Sequence, residues 1–379
     1  RSIYKKLYDI THNKVDLYAY FTIKGLSILK KHGIIPYIIP QTWKATSSFA
    51  KFRKDIFTKY TIDHVVDLNM GVFSAIVSPM IIVVKKVMSM REYVIDVKNK
   101  DFNVDNSVNI GEVLNSKDFL FDTISTSTQK NIFEKLEKGS NLLSSYITFS
   151  RGIKTSNDNK FITRTPNQKK QEYKKVFRGK NIKAYTLDWE GEYVWYRPDL
   201  MKEKTGCLPH TEKFFEVPEK IVTQRVNSSM QLLAAYDDSQ QYFLDTVNVS
   251  NYDSWDKKTN MKFICALLNS KVINFYYCNK YRMPTISSYE LHSIPIAKCN
   301  KKEQDKIASL VDVLLLKVKD EQHKNKQIDI LLYAQIDARV AHLYNLTESE
   351  YQLILEGTED TFRITALNFF RDLEKGILK

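Results

Sequence analysis

The sequence is poor in the residues that build cradling loops and covalent staples. Its 379 residues include 11 glycines, 9 prolines and 4 cysteines. So few glycines leave little material for loops that cradle phosphates or cofactors, and a collagen-like or linker-like chain is excluded. Cys207, Cys265, Cys278 and Cys299 lie far apart with no CxxC pair. That spacing argues against a disulfide framework or a zinc ribbon, and reduced thiols of this kind fit a cytoplasmic protein. The seven histidines are scattered, without HxH or HExxH spacing, so no metal site is expected. A GxSxG elbow and a Walker loop are both absent. The longest apolar runs, 80–84 and 310–316, are far too short to span a membrane. The opening residues, Arg-Ser-Ile-Tyr-Lys-Lys, lack the apolar stretch of a signal peptide and an initiator Met. An excised or incomplete piece of a longer protein is therefore expected.

What is present is a large aromatic and basic complement. Twenty-two Tyr, 20 Phe and a hydrophobic fraction of 43% exclude intrinsic disorder and suffice for two or three domain cores. Lys and Arg number 57 against 44 Asp and Glu, a net charge of +13. A surplus of this sign favours a polyanionic partner, nucleic acid before an anionic membrane.

Hydrophobic periodicity divides the chain. Residues 16–32 place Leu17, Phe21, Leu26 and Leu29 at helical spacing, with Gly33 as the expected C-terminal cap. Residues 34–39 read as a buried strand, 47–60 as a second helix bearing Lys51, Arg53, Lys54 and Lys59, and 62–68 and 79–87 as further strands. This order reads as half of an α/β sheet. Residues 91–140 are polar and read as a connector with a short helix near 129–138. Residues 141–300 show short β-type runs (146–149, 193–196, 220–225) and one apolar helix, 261–277. From 301 to 379 the pattern is helical throughout.

The densest charge feature spans 151–183, with eleven bases against Asp158 and Glu172. Phe161, Tyr173 and Phe177 are interleaved, together with Thr155, Asn157, Asn159 and Asn167. Phosphate contacts need Lys and Arg, base-edge readout needs Arg, Lys and side-chain amides, and wedging needs aromatics. All three occur here, although a solvated basic loop has the same composition. Glu172-Tyr173-Lys174 matches the terminal half of a nuclease (D/E)xK motif, but chance in a Lys-rich chain explains it better. Phe73, after Gly71-Val72, is displayed at a turn, and a core role is the reading that spacing favours.

Taken in order, these segments resemble the TaqI-like (Eco57I-like) adenine-N6 DNA methyltransferases of restriction–modification systems. Asp16-Leu17-Tyr18 with Phe21, then Leu29-Lys30-Lys31-His32-Gly33, resembles the family's "DLY..F…LLK.GG" segment. Residues 34–43, Phe52-Arg53 and Val72-Phe73 followed by 79–86 resemble the strands and helix after it. Gly152 to Phe161 resembles a "G..TG.ndkFi" loop, with Ser156 where Gly is usual. Arg178-Gly179-Lys180-Asn181-Ile182, Pro218 to Arg225, Leu267-Leu268-Asn269-Ser270-Lys271 and Ile294-Pro295-Ile296 match the target-recognition domain.

The resemblance implies a fold: a partial Rossmann-like methyltransferase sheet of the α/β class, then an α+β target-recognition domain and a C-terminal helical region. It implies boundaries of 1–90 for the methyltransferase core, 91–140 for the connector, 141–300 for recognition and 301–379 for the helices. It implies double-stranded DNA as partner, S-adenosylmethionine as methyl donor, and base flipping. Phe73 matches the aromatic that stacks on the target base, and Phe21 with Asp16 lies near the cofactor. Arg151, Lys154, Thr155, Asn157, Lys160, Lys169, Lys170, Lys174, Lys175, Arg178, Lys180 and Arg225 fall where the recognition domain meets DNA. The family's (N/D)PP(Y/F) tetrapeptide and FxGxG cofactor loop occur nowhere in these residues. The chain alone is therefore expected to lack catalytic residues and to need a missing N-terminal half or a partner subunit. A stand-alone DNA-specificity subunit and a non-enzymatic helical adaptor are the alternatives.

Overall fold

The computed structural model describes residue 8 and residues 16–68, 78–88, 92–167, 172–281, 285–321 and 329–378. The chain divides into two compact units, Arg1–Ser127 and Thr128–Lys379.

In the first unit, Leu17–Ile28 (α1) leads into the strand Ile34–Pro40 (β1). The reversal between them is made by His32, at φ 63°, and not by Gly33. Gly33 serves a different need: a Cβ there would fall 2.7 Å from Leu29 Cγ. Ala50–Lys59 (α2), Thr61–Asp67 (β2), Pro79–Lys85 (β3), Val94–Lys98 (β4), Val104–Asn109 (β5) and Ile110–Asn115 (α3) follow. The sheet order is β1-β3-β2-β4-β5, with β2–β4 parallel and the other pairs antiparallel. β1 stands at the edge, which is where a strand containing Pro36 and Pro40 can sit without removing a ladder bond. The architecture is mixed α/β, and its mostly antiparallel pairing differs from the parallel sheet that a Rossmann-like reading implies.

The strand pair β4–β5 lies inside the stretch read as a polar connector. Ile95, Val97 and Val108 turn inward and are buried, while the alternate positions carry the polar residues that hid the pattern. Trp43, fully buried, is packed against Phe52, Phe57 and Phe121 with ring centroids 5.5–6.1 Å away. Arg53, read as part of a basic helix face, is fully buried. Its guanidinium donates to the carbonyls of Trp43 (2.6 Å), Thr46 (2.8 Å) and Asp118 (2.9 Å), which makes it a structural tie.

The second unit opens within Ser127–Glu137 (α4), whose Ile132, Phe133 and Leu136 are buried. Its strands are Ser140–Leu142 (β6), Thr148–Arg151 (β7), Ile162–Thr163 (β8), Tyr173–Phe177 (β9), Ile182–Lys183 (β10), Thr186–Leu187 (β11), Tyr193–Trp195 (β12), Lys220–Gln224 (β13), Ala234–Asp237 (β14), Tyr242–Phe243 (β15), Val247–Asn251 (β16) and Pro295–Ala297 (β17). They form two four-stranded sheets, β14-β13-β16-β7 and β15-β9-β12-β8, and two small ribbons. The sheets share one core built from Ile153, Phe161, Val176, Phe177, Val194 and their neighbours.

A second, larger core joins the helices Met261–Asn269 (α5), Lys271–Tyr281 (α6), Lys301–Glu321 (α7), Ile330–Leu343 (α8), Glu348–Ile354 (α9) and Asp360–Glu374 (α10). The apolar segment read as a single helix is thus two, broken at Ser270. No helix among the described residues is long and apolar enough to cross a membrane.

Candidate nucleic-acid interface

The segment after β7 is held by backbone. Gly152 passes so close to β15 that a Cβ would fall 2.3 Å from the Phe243 carbonyl oxygen, so only glycine fits there. Ile153 N–H donates to that carbonyl (2.8 Å), and Lys154 exchanges two 2.9 Å backbone hydrogen bonds with Leu208. Thr155, buried, donates through Oγ1 to Asp158 Oδ1 at 2.5 Å and closes the turn into the short helix Asp158–Phe161. Asn157 is exposed at the start of that helix. Thr155 is therefore a turn former, whereas Asn157 is available to a ligand.

The bases of 151–183 meet acids that the local sequence does not show. Lys154 pairs with Asp245 (3.0 Å) and Lys160 with Glu203 (3.2 Å). Lys174 pairs with Glu216 (2.9 Å), and Arg178 Nε donates to Glu192 (2.6 Å). Lys180 pairs with Glu190. Hydrogen bonds from Tyr242 and Lys174 hold the Glu216 carboxyl below the usual range. Arg151 donates to the Gly206 carbonyl (3.0 Å), and Arg225 reaches the Asp245 carbonyl (3.3 Å). Exposed pairs of this kind contribute roughly 0–1 kcal/mol each, so a lysine can exchange its carboxylate for a phosphate at small cost. The pairing lowers the local positive potential without locking the side chains.

Three bases differ. Among the described residues Arg164, Lys175 and Lys183 are exposed and have no carboxylate at ion-pair distance; Lys183 lies apart on β10, and Arg164 only feels the field of Glu190, which Lys180 already engages. The Lys175 ammonium lies 4.7 Å from the centre of the Trp189 ring. Trp189 meets Tyr193 edge-on at 5.0 Å, and its Nε1–H donates to the Glu192 carbonyl (2.8 Å). Strand register puts Thr163, Tyr193 and Lys175 in one cross-strand row and, two positions along on the same face, Trp195 beside Tyr173. Trp195 stacks on Phe161 at 5.8 Å. The opposite face of the same strands, Val176 and Val194, is buried in the sheet core.

Lys169 and Lys170 fall in 168–171 and Phe73 in 69–77, both outside the described residues. Asp16 precedes α1 and is exposed, and the Phe21 ring on that helix is 57% exposed. Glu172 accepts from Trp195 Nε1 (2.6 Å) and Arg197 (3.4 Å), while Lys174 turns to Glu216, so the nuclease-like triplet is committed to structural partners. No group of three His, Cys, Asp or Glu among the described residues converges to hold a metal ion. Sequence reasoning missed Trp189, Tyr193 and Trp195. The signal for them was an aromatic density from Tyr185 to Tyr196 just beyond the basic stretch.

Residues 174–296 match the TaqI-like C-terminal specificity domain, and residues 1–73 match the Eco57I restriction-modification methylase. The chain is 25% identical over 356 residues to RM.MjaORFECS2P of Methanocaldococcus jannaschii, a protein assigned as a type II restriction enzyme and methyltransferase. That match covers 87% of this chain and 28% of the relative. Among solved structures, the type IIL restriction-modification enzyme MmeI in complex with DNA has a TM-score of 0.59 at 10% identity, covering 95% of this chain and 53% of that one. A nuclease-deletion mutant of the type ISP enzyme LlaGI with a DNA substrate mimic has a TM-score of 0.51 at 10% identity, covering 80% and 32%. At these identities the likeness is one of fold. The chain spans about a quarter of the curated relative and about half of MmeI.

Proposed function

We propose that this chain, whose residues match an Eco57I-type methylase segment and a TaqI-like specificity domain, belongs to a restriction–modification enzyme and reads a specific site in duplex DNA for methylation of adenine N6 from S-adenosylmethionine, in the cytoplasm. The observation that carries this reading is the coincidence of the specificity-domain match with the folded sheets that bear the basic strand β9 and the Arg178–Ile182 segment. We assign the methylase-core role to the first unit, DNA reading to the sheets of the second, and a bracing role to residues 301–379.

The chemistry needs the adenine out of the stack, since its amino nitrogen is unreachable inside the duplex. Phe73 is the residue assigned to stack on it. S-adenosylmethionine supplies the methyl group when bound. The exposed Phe21 ring fits one wall of a site for it, with Asp16 at the start of the same helix. No glycine-rich turn and no (N/D)PP(Y/F) tetrapeptide is present in these residues, so they do not complete that site, and no step is derived through it. Methyl transfer requires those groups from another segment or subunit.

Electrophoretic shifts with duplex DNA test the reading. Neutralising several phosphates makes affinity fall by about a thousandfold or more between roughly 50 and 200 mM salt. Incubation with methyl-labelled S-adenosylmethionine and DNA should transfer no label. A chain that shows no DNA affinity at the lowest salt refutes the proposal.

A further inference from the structure

Resting on that reading, we propose that the sheet face carrying Thr163, Lys175 and Tyr193, roofed by Trp189, is the surface that lies on the DNA, with Lys175 and Arg164 holding phosphates and Trp189 packing against the sugar–base edge.

Five of the bases in 151–183 already face carboxylates brought from Glu190, Glu192, Glu203, Glu216 and Asp245. A phosphate approaching those positions meets the acid as well as the base, and the field there is close to neutral. Arg164, Lys175 and Lys183 are exposed without such a partner, and of these Lys175 on β9 and Arg164 directly after β8 belong to this sheet, whereas Lys183 sits on the separate β10–β11 ribbon. Lys175 ends the row Thr163–Tyr193–Lys175, whose side chains share one face by strand register, and Arg164 follows Thr163 at its other end. Anchoring on the reverse side is firm: Val194 and Val176 are fully buried beneath them. A rigid sheet therefore presents a cation, a hydroxyl and two aromatic edges together. That set matches a nucleic-acid backbone with its adjoining base edges, and it matches poorly with an apolar protein surface. Trp189 is tied by its Nε1–H to the Glu192 carbonyl, so its ring is set in place before a ligand arrives.

The test uses the full chain and a duplex of about 30 base pairs, titrated by fluorescence anisotropy over a salt series. Arg164→Ala with Lys175→Ala should weaken binding at least tenfold and lower the slope of log K against log salt by about two, since each phosphate contact contributes about 0.9. Lys301→Ala with Lys302→Ala removes the same charge from the start of α7 and should leave the slope unchanged. Trp189→Ala should weaken binding about tenfold with Trp189→Phe restoring most of it, as a stacked ring predicts. Because Trp189 also packs on the core, the surface pair Arg164 and Lys175 decides the matter if Trp189→Ala fails to fold. Equal loss in the two double variants, or an unchanged slope in the first, overturns the assignment while leaving DNA binding standing. Absence of binding by the unaltered chain overturns both.

Discussion

Asp337 on α8 is fully buried, and its carboxylate accepts from the Lys271 backbone N–H at 2.5 Å and the Tyr351 hydroxyl at 2.6 Å. Burial raises its pKa from 3.8 to about 6, and the two hydrogen bonds offset only part of that cost. The folded protein then keeps a proton that the unfolded chain releases. Stability from this group is fully present below about pH 4 and is lost as pH rises through 6. The loss amounts to roughly 3 kcal/mol at about 1.4 kcal/mol per pH unit. Asp337→Asn keeps an acceptor and a donor in place without the charge. It should flatten the pH dependence of urea unfolding between 4 and 6, and an unchanged slope there would refute the account. Lys220 and Asp237 form a contrasting pair, both side chains essentially inaccessible and 2.6 Å apart. Burial pulls the Lys220 pKa down while Asp237 pulls it back up. Lys220→Met strands a buried carboxylate and should cost about 3–5 kcal/mol in the same unfolding experiment.

At the scale of elements, the break between α5 and α6 shows what a short motif does. Asn269 receives the Ala234 backbone N–H (2.9 Å) and donates to the Ala234 carbonyl (2.8 Å), so its amide acts as one residue of an extra strand along the edge of β14. Ser270 then takes an extended conformation (ψ 150°) and its Oγ caps Ile273 N–H at 3.1 Å. Asn269→Ala leaves the buried Ala234 N–H unpaired, at about 1–3 kcal/mol, while the Ala234 carbonyl keeps its bond from Tyr185 N–H (2.8 Å). A loss of that order in chemical denaturation, with the helix content retained, is the expected outcome. This break also marks the limit of what periodicity conveys. Apolar spacing runs unbroken through 261–277, because the interruption is a hydrogen bond to a strand some 35 residues earlier. Strands β1 and β3 were legible because their apolar runs are nearly continuous, and β2 because Ile62, Val65 and Val66 keep an apolar pattern among Asp63, His64 and Asp67. The pair β4–β5 was not, because β4 buries only Ile95 and Val97 and β5 only Val108, while most of the remaining positions are Asp, Asn, Ser and Lys. The candidate interface followed the same rule: basic residues are local and countable, whereas the acids that answer them arrive through the fold.

At the scale of the whole molecule, the two compact units carry separate cores, and every base assigned to DNA contact lies in the second. Salt dependence of binding measures phosphates neutralised and is insensitive to apolar mass elsewhere. A fragment of residues 128–379 should therefore fold on its two internal cores and bind duplex DNA with the salt slope of the full chain. The +13 charge offers a competing account in which long-range attraction by the entire surface produces the binding. That account predicts a reduced slope in the fragment, in proportion to the charge removed, and an equal effect from any two lysines deleted. Discrete contacts predict an unchanged slope in the fragment and a loss confined to variants on the β8–β12–β9 face. Comparing the fragment and the Arg164→Ala, Lys175→Ala chain in one anisotropy series separates the two, because diffuse attraction cannot spare the truncation and penalise the surface pair.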